Sequence, residues 1–233
     1  MLLTDREKDA MASHGIVRLQ GAVSRAATGE VRRAIAGELE RLGLKVGSKL
    51  AAARLHDLPT FQQTGRLAQM VKVDRELAGL FAPDLLAAMA ALLPRDRAPA
   101  RTLPQLLLTF PQKQPWSTDG LSWHLDLKVP PVDEVSGVQA FVLIDDVQPR
   151  GGATLALAGT HRLHHTKEAG GNAHSLLRRH GSIEGLAPYG VSLVEMTGQA
   201  GDVYLMDMRT LHAPSINASR AVRMMATVRL ARA

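Results

Sequence analysis

Val138-Gln139-Ala140-Phe141-Val142-Leu143-Ile144, followed by Asp145-Asp146 and then by Gly151-Gly152-Ala153-Thr154-Leu155-Ala156-Leu157, is the stretch on which the fold turns. Short apolar runs bounded by Asp, Pro and Gly read as strands joined by tight connections, too short and too interrupted for helices. The same texture begins at Leu103: Leu106 to Phe110, Ser122 to Val129, Val138 to Ile144, Thr154 to Leu157, Val191 to Glu195, Val203 to Met206 and Val222 to Leu230. Strands of that length and spacing suit an antiparallel sandwich or barrel.

Upstream of this region the periodicity is helical. Thr4-Asp5-Arg6-Glu7 has the spacing of a capping box, which predicts a first helix to about Ser13, broken by Gly15. Ile16 to Leu19 alternates as a short strand. Ser24 then caps a helix whose Val31, Ile35, Leu39 and Leu42 recur every three or four residues up to Gly43. Further helical segments are expected around Thr60 to Leu80 and Pro83 to Leu93, before Pro94 and a polar, Pro-containing loop. Helices first and strands afterwards predict an α+β fold, with the helices packed on one sheet face of a jelly-roll barrel.

Composition narrows the chemistry. With 233 residues, 45% of them apolar, one domain spanning 1–233 is expected, mainly helical support over 1–100 and mainly barrel over 101–233. There is no cysteine, so thiolate metal sites, disulfides and cysteine nucleophiles are excluded, and a metal must be held by His, Asp, Glu or carbonyl groups. The sequence has no apolar run of membrane-spanning length and no basic-then-apolar leader, so a cytoplasmic protein with no membrane association is expected. A net charge of +6 raises the question of nucleic acid. The basic residues are scattered, however, and only 3% of residues are aromatic, so a small-molecule substrate is the expected partner and the charge a solvated surface. Oligomeric state is left open.

Trp123-His124-Leu125-Asp126-Leu127 reads as a strand or strand edge, where residues two apart project on one face, so His124 and Asp126 can reach one cation together. The spacing alone also describes a surface pair. Gly201-Asp202 starts a later apolar strand that delivers a third ligand, His212. Two imidazoles and one carboxylate occupy one face of an octahedron and leave three positions open, as non-haem iron(II) oxygenases require; zinc is the alternative occupant. Arg223, near the start of the next strand, has the planar fork that pairs a distal carboxylate while an α-keto acid chelates iron. A surface ion pair is its plain alternative.

His124-Leu125-Asp126, the stretch Val138 to Phe141, Gly151-Gly152-Ala153-Thr154 closing in Gly159-Thr160-His161-Arg162, and His212 with Asn217, Ser219 and Arg223 resemble the phytanoyl-CoA dioxygenase family. The Leu3-Thr4 helix and His14-Gly15-Ile16-Val17 extend the resemblance over nearly the whole chain. It implies a double-stranded β-helix of cupin type, dependence on Fe(II), 2-oxoglutarate and O₂, and usually hydroxylation of an unactivated carbon with release of succinate and CO₂. It maps His124, Asp126 and His212 to iron and Arg223 to the far carboxylate of 2-oxoglutarate. Phe141 and Thr154 are placed at the cosubstrate pocket. Because Asp126 is present where halogenating relatives have a small residue, hydroxylation is expected. Two departures stand out: Pro214 replaces a hydroxyl residue two beyond the distal His, with Ser215 the nearest substitute, and Lys128 follows the first ligands, facing an anionic substrate or solvent.

Trp116, Trp123, Lys128 and Gln139 are the candidates for lining the substrate site, and each also has an ordinary structural reading. His161, His164 and His165 are expected to be hydrogen-bonded or solvated. The segment from Gly170 to Gly185 is expected to be a mobile insertion, a lid or a plain loop. Two other classes share these features: a cupin-like metal enzyme without 2-oxoglutarate, and a non-catalytic binding module.

Overall fold

Thr4 and Glu7 form the capping box that the sequence predicts. Glu7 N–H donates to Thr4 Oγ1 at 3.3 Å and Thr4 N–H to Glu7 Oε2 at 2.7 Å, opening α1 (Asp5–His14). In this computed structural model residues 1–44, 65, 69–94, 98–127, 134–165 and 173–232 are described. After α1 come β1 (Ile16–Leu19), α2 (Arg25–Arg41, capped by Ser24), α3 (Asp74–Leu80) and α4 (Pro83–Ala90). Part of the helical segment expected from Thr60 lies outside the described residues.

The remaining chain is largely strand: β2 (Pro99–Arg101), β3 (Gln105–Thr109), β4 (Gly137–Leu143), β5 (Thr154–Ala158), then α5 (Ala173–His180), β6 (Ser192–Glu195), β7 (Val203–Asp207), β8 (His212–Pro214) and β9 (Arg223–Arg232). All pairings are antiparallel. A six-stranded sheet runs β1-β7-β4-β9-β2, with β3 also on β9, and a three-stranded sheet runs β6-β5-β8.

Each face of the large sheet has its own core. Val138, Ala140 and Val142 of β4, with Met224, Ala226 and Val228 of β9, meet Met11, Val31, Ile35 and Leu39 of the helices. The alternate residues, Phe141, Leu143, Tyr204, Met206 and Met225, meet Ala156, Ala158 and Met196 of the small sheet. Both faces of β4 are therefore buried, which is why it reads as an apolar run broken only by Gln139. The outcome is the expected α+β architecture, a jelly roll of two sheets with helices on one outer face. Two strands lie where none was expected: β2 in the Pro-containing loop and the three-residue β8. No helix among the described residues is long and apolar enough to cross a membrane.

Candidate metal centre

The expected strand from Ser122 to Val129 does not form over its described part, to residue 127. In place of a ladder there is one bridge: His124 N–H donates to His212 O at 2.9 Å and His212 N–H to His124 O at 3.0 Å. Asp126 and Leu127 then both donate their N–H groups to Met208 O at 3.1 Å, so the chain curls around that carbonyl instead of continuing extended. The curl still presents His124 and Asp126 to a common point. One donor atom from each of His124, Asp126 and His212 lies within 4.8 Å of the others.

Second contacts decide which ring nitrogens face that point. His124 Nδ1 lies 2.9 Å from Ser122 O and His212 Nδ1 lies 3.0 Å from Thr210 O. A carbonyl only accepts, so each Nδ1 carries the hydrogen and each Nε2 of the neutral ring carries a lone pair. Those Nε2 atoms stand 4.0 Å (His124) and 3.7 Å (His212) from the Asp126 carboxylate. Burial, reinforced by His124, pushes the His212 imidazolium down to a pKa of about 4, so the ring is neutral at physiological pH. Burial alone would raise the Asp126 carboxyl, but His212, Arg229 and His124 outweigh it and hold the group below its usual range. A neutral imidazole at His212, a second imidazole at His124 and the Asp126 carboxylate converging on one point make a set that fits a divalent cation.

Phe141 stands edge-on to His212, with ring centroids 6.2 Å apart. Thr154 is buried on β5, on the same face as Ala156, which pairs with His212 in register. Arg223 stands on β9 of the large sheet, on the strand face that carries Met225; its Nε donates to Gly152 O at 2.7 Å, Nη1 to Leu107 O at 3.1 Å and Nη2 to Thr109 Oγ1 at 2.5 Å. Gly152, at φ 79°, is glycine because a Cβ there would lie 2.7 Å from that of Asn217. Arg223 is only 3% exposed and no carboxylate among the described residues pairs with it; burial pushes its pKa down to about 9. The surface ion pair considered from sequence is thus excluded.

Other expectations are corrected. Ser215 does not replace the hydroxyl lost at Pro214 as a donor, because its Oγ donates to Ala153 O at 2.7 Å. Trp123 is half-buried and packs against an apolar cluster of Leu157, Leu163, Leu176 and Leu211. Trp116 stacks under Arg150, 5.7 Å from ring centroid to guanidinium carbon, with its buried Nε1 unpartnered. Gln139 is buried on the same face as Phe141, and its amide donates to Thr227 Oγ1 at 3.0 Å. Lys128 lies outside the described residues, as do residues 170–172 of the expected insertion. The rest of that insertion is no loose loop: Ala173 and Leu176 of α5 are fully buried, and His174 Nε2 hydrogen-bonds to Trp123 O, next to His124. His161 is buried with Nε2 3.1 Å from Ala12 O, the structural role expected of it. A Cβ on Gly15, at φ 69°, would overlap that ring.

Three residues near the centre were not singled out from sequence. Arg229 donates from Nε to Asp126 Oδ2 at 2.8 Å and from Nη1 to Gln105 Oε1 at 2.9 Å, and Thr109 accepts from Arg223. No local spacing points to them, because each acts on a residue brought near by strand pairing.

The family model described as Phytanoyl-CoA dioxygenase (PhyH) matches residues 11–225. The chain belongs to the phytanoyl-CoA dioxygenase family. It is accordingly an enzyme of the iron- and 2-oxoglutarate-dependent oxygenase class, with a His-Asp-His cluster in place. Solved structures that share the fold include the non-heme alpha ketoglutarate dependent carbocyclase SnoK from nogalamycin biosynthesis, 20% identical over 99% of this chain and 85% of that one, TM-score 0.61. AviO1 from Streptomyces viridochromogenes Tue57 is 16% identical over 99% and 96%, TM-score 0.65. EctD from S. alaskensis, solved with 2-oxoglutarate and 5-hydroxyectoine, is 16% identical over 99% and 76%, TM-score 0.59. No curated protein matches this phytanoyl-CoA dioxygenase family member by sequence.

Proposed function

We propose that the protein is a hydroxylase that inserts one oxygen into an unactivated C–H bond of a small molecule, with His124, Asp126 and His212 holding iron(II) and Arg223 anchoring 2-oxoglutarate. When bound, iron and 2-oxoglutarate supply the oxidising power: one oxygen of O₂ enters succinate as CO₂ leaves, and the other enters the substrate as a hydroxyl group.

Arg223 is the observation that carries the reading. A guanidinium has five N–H groups, and three of them are placed on Gly152 O, Leu107 O and Thr109 Oγ1. These acceptors aim the fork without neutralising it, and burying an uncompensated charge is costly. A dicarboxylate whose other end lies at the three ligands supplies the missing charge. A cupin-like metal enzyme with no acidic cosubstrate has no use for such a cation. Thr109 Oγ1 accepts from Arg223, and in this reading its own proton is donated to the same carboxylate. In this reading Phe141, edge-on to His212, and Thr154, on the face of β5 shared with Ala156, line the cosubstrate pocket. The substrate class follows the family at large: amino-acid, acyl or natural-product molecules, with Gln139 and Trp116 as candidate contacts.

The test is to supply purified protein with iron(II), ascorbate and 2-oxoglutarate and to measure succinate, then to screen candidate substrates by mass spectrometry for the gain of one oxygen. Succinate with a one-oxygen product supports hydroxylation. Succinate with a product of lower hydrogen content shows another oxidation, and the absence of any iron-dependent succinate contradicts the assignment.

A further inference from the structure

Each of the three ligand side chains has an outer contact that sets its orientation. For the imidazoles these are main-chain carbonyls two residues upstream, Ser122 O and Thr210 O. No substitution of a side chain deletes them. The carboxylate is different: its Oδ2 accepts the Nε–H of Arg229 at 2.8 Å.

Arg229 is itself held on several sides. Its Nη1 donates to Gln105 Oε1 at 2.9 Å, its main-chain N–H to Thr102 Oγ1 at 3.0 Å, and its carbonyl accepts from Thr102 N at 3.0 Å. In the β4–β9 register it stands opposite Gln139, so the strand beneath it is paired on both edges. The guanidinium therefore approaches Asp126 from a fixed position.

We propose that Arg229 is a positioning residue of the metal centre: it takes one oxygen of Asp126 for itself, so that the carboxylate offers a metal one oxygen and not two. The proposal rests on the iron-site reading above. Its chemical consequence is that positions needed by a bidentate cosubstrate and by dioxygen are not consumed by a second carboxylate oxygen. A cation beside a metal ligand also repels the metal, so two effects of opposite sign compete. Arg229 has 23% of its side chain exposed, which lets water and salt screen the repulsion, whereas the 2.8 Å hydrogen bond acts locally and fixes a torsion that would otherwise be free. Orientation should prevail, and partners of ligating carboxylates are typically worth about 10–100-fold in metal affinity.

Cobalt(II) is the probe, titrated into metal-free protein and followed by its visible absorption, which reports both affinity and coordination. Arg229→Met should weaken cobalt binding about 10–100-fold and change the shape of the spectrum. Arg229→Lys keeps the charge but not the pair of N–H groups that bridge Asp126 and Gln105, and should be impaired as well. Gln105→Leu, which loosens Arg229 while leaving Asp126 and the arginine in place, should give a smaller loss in the same direction, and carries the test if Arg229→Met does not fold. Cobalt binding in these variants as tight as in the wild type, or tighter, with an unchanged spectrum overturns the proposal. If the wild-type protein itself binds no cobalt, the metal-centre reading has failed, and the proposal falls with it.

Discussion

Arg223 and Arg229 stand on the same face of β9 and are used differently: one is buried with no counter-charge among the described residues, the other is paired to the Asp126 carboxylate. Hydrogen bonds to a charged group contribute about 1.5–3 kcal/mol each, so Arg223→Ala should weaken 2-oxoglutarate binding by at least about tenfold while leaving metal binding largely intact. Exposed Arg220, in the turn before β9, should be replaceable by Ala with little effect. Titrating 2-oxoglutarate against both variants checks this, and a defect confined to Arg220→Ala would contradict it. His212 offers a pH signature in the metal-free protein. Its folded pKa of about 4 lies below the ordinary 6.5, so the unfolded chain takes up a proton that the folded one refuses. The stability it contributes is whole above pH 6.5 and is lost as the pH falls toward 4, at most about 3 kcal/mol. Urea denaturation at pH 7 and pH 4.5 should show that loss, reduced in His212→Leu; equal losses in both proteins would contradict it. That His124, Asp126 and His212 belong together was legible in the sequence through the family resemblance, since the His-x-Asp spacing alone also describes a surface pair, and the structure brings their donor atoms within 4.8 Å of one another. Arg229 and Thr109 were not legible, because their roles exist only through partners on other strands.

At the scale of elements, the least legible piece was the stretch around α5. Its Gly, Arg and His content reads as solvated loop, yet Leu176 is fully buried against Trp123, Leu125 and Leu211, the neighbours in sequence of both histidine ligands. Ala173, Leu176 and Leu177 of α5 do have helical spacing, but it spans little more than one turn among Gly, Arg and His residues, and burial is conferred by what lies opposite. Leu176→Ala should cost about 2–5 kcal/mol and loosen metal binding, since the cluster braces the two segments that carry His124 and His212. A denaturation shift well under 1 kcal/mol would show that α5 does not brace the site. The Ser122 to Leu127 segment failed as a strand for the complementary reason: alternation predicts which side chains share a face, but pairing depends on a neighbour, and here the neighbour offers a single bridge.

The whole molecule places a polar centre between two sheets whose facing residues are otherwise apolar. The α+β jelly roll was legible because strand runs and helical stripes are segregated along the chain; the order of strands was not, since β1 pairs with β7 and β4 with both β7 and β9 across long separations. The central claim is that this interior holds iron(II) at His124, Asp126 and His212 and 2-oxoglutarate between the iron and Arg223. Anaerobic titration of the iron(II) protein with 2-oxoglutarate, followed by the visible charge-transfer absorption of an iron–2-oxoacid chelate, tests it most directly. The absorption should grow to saturation in the wild type, be absent in Asp126→Ala and His212→Ala, and require far more 2-oxoglutarate in Arg223→Ala. No absorption in the wild type, or an undiminished one in the ligand variants, would contradict the account.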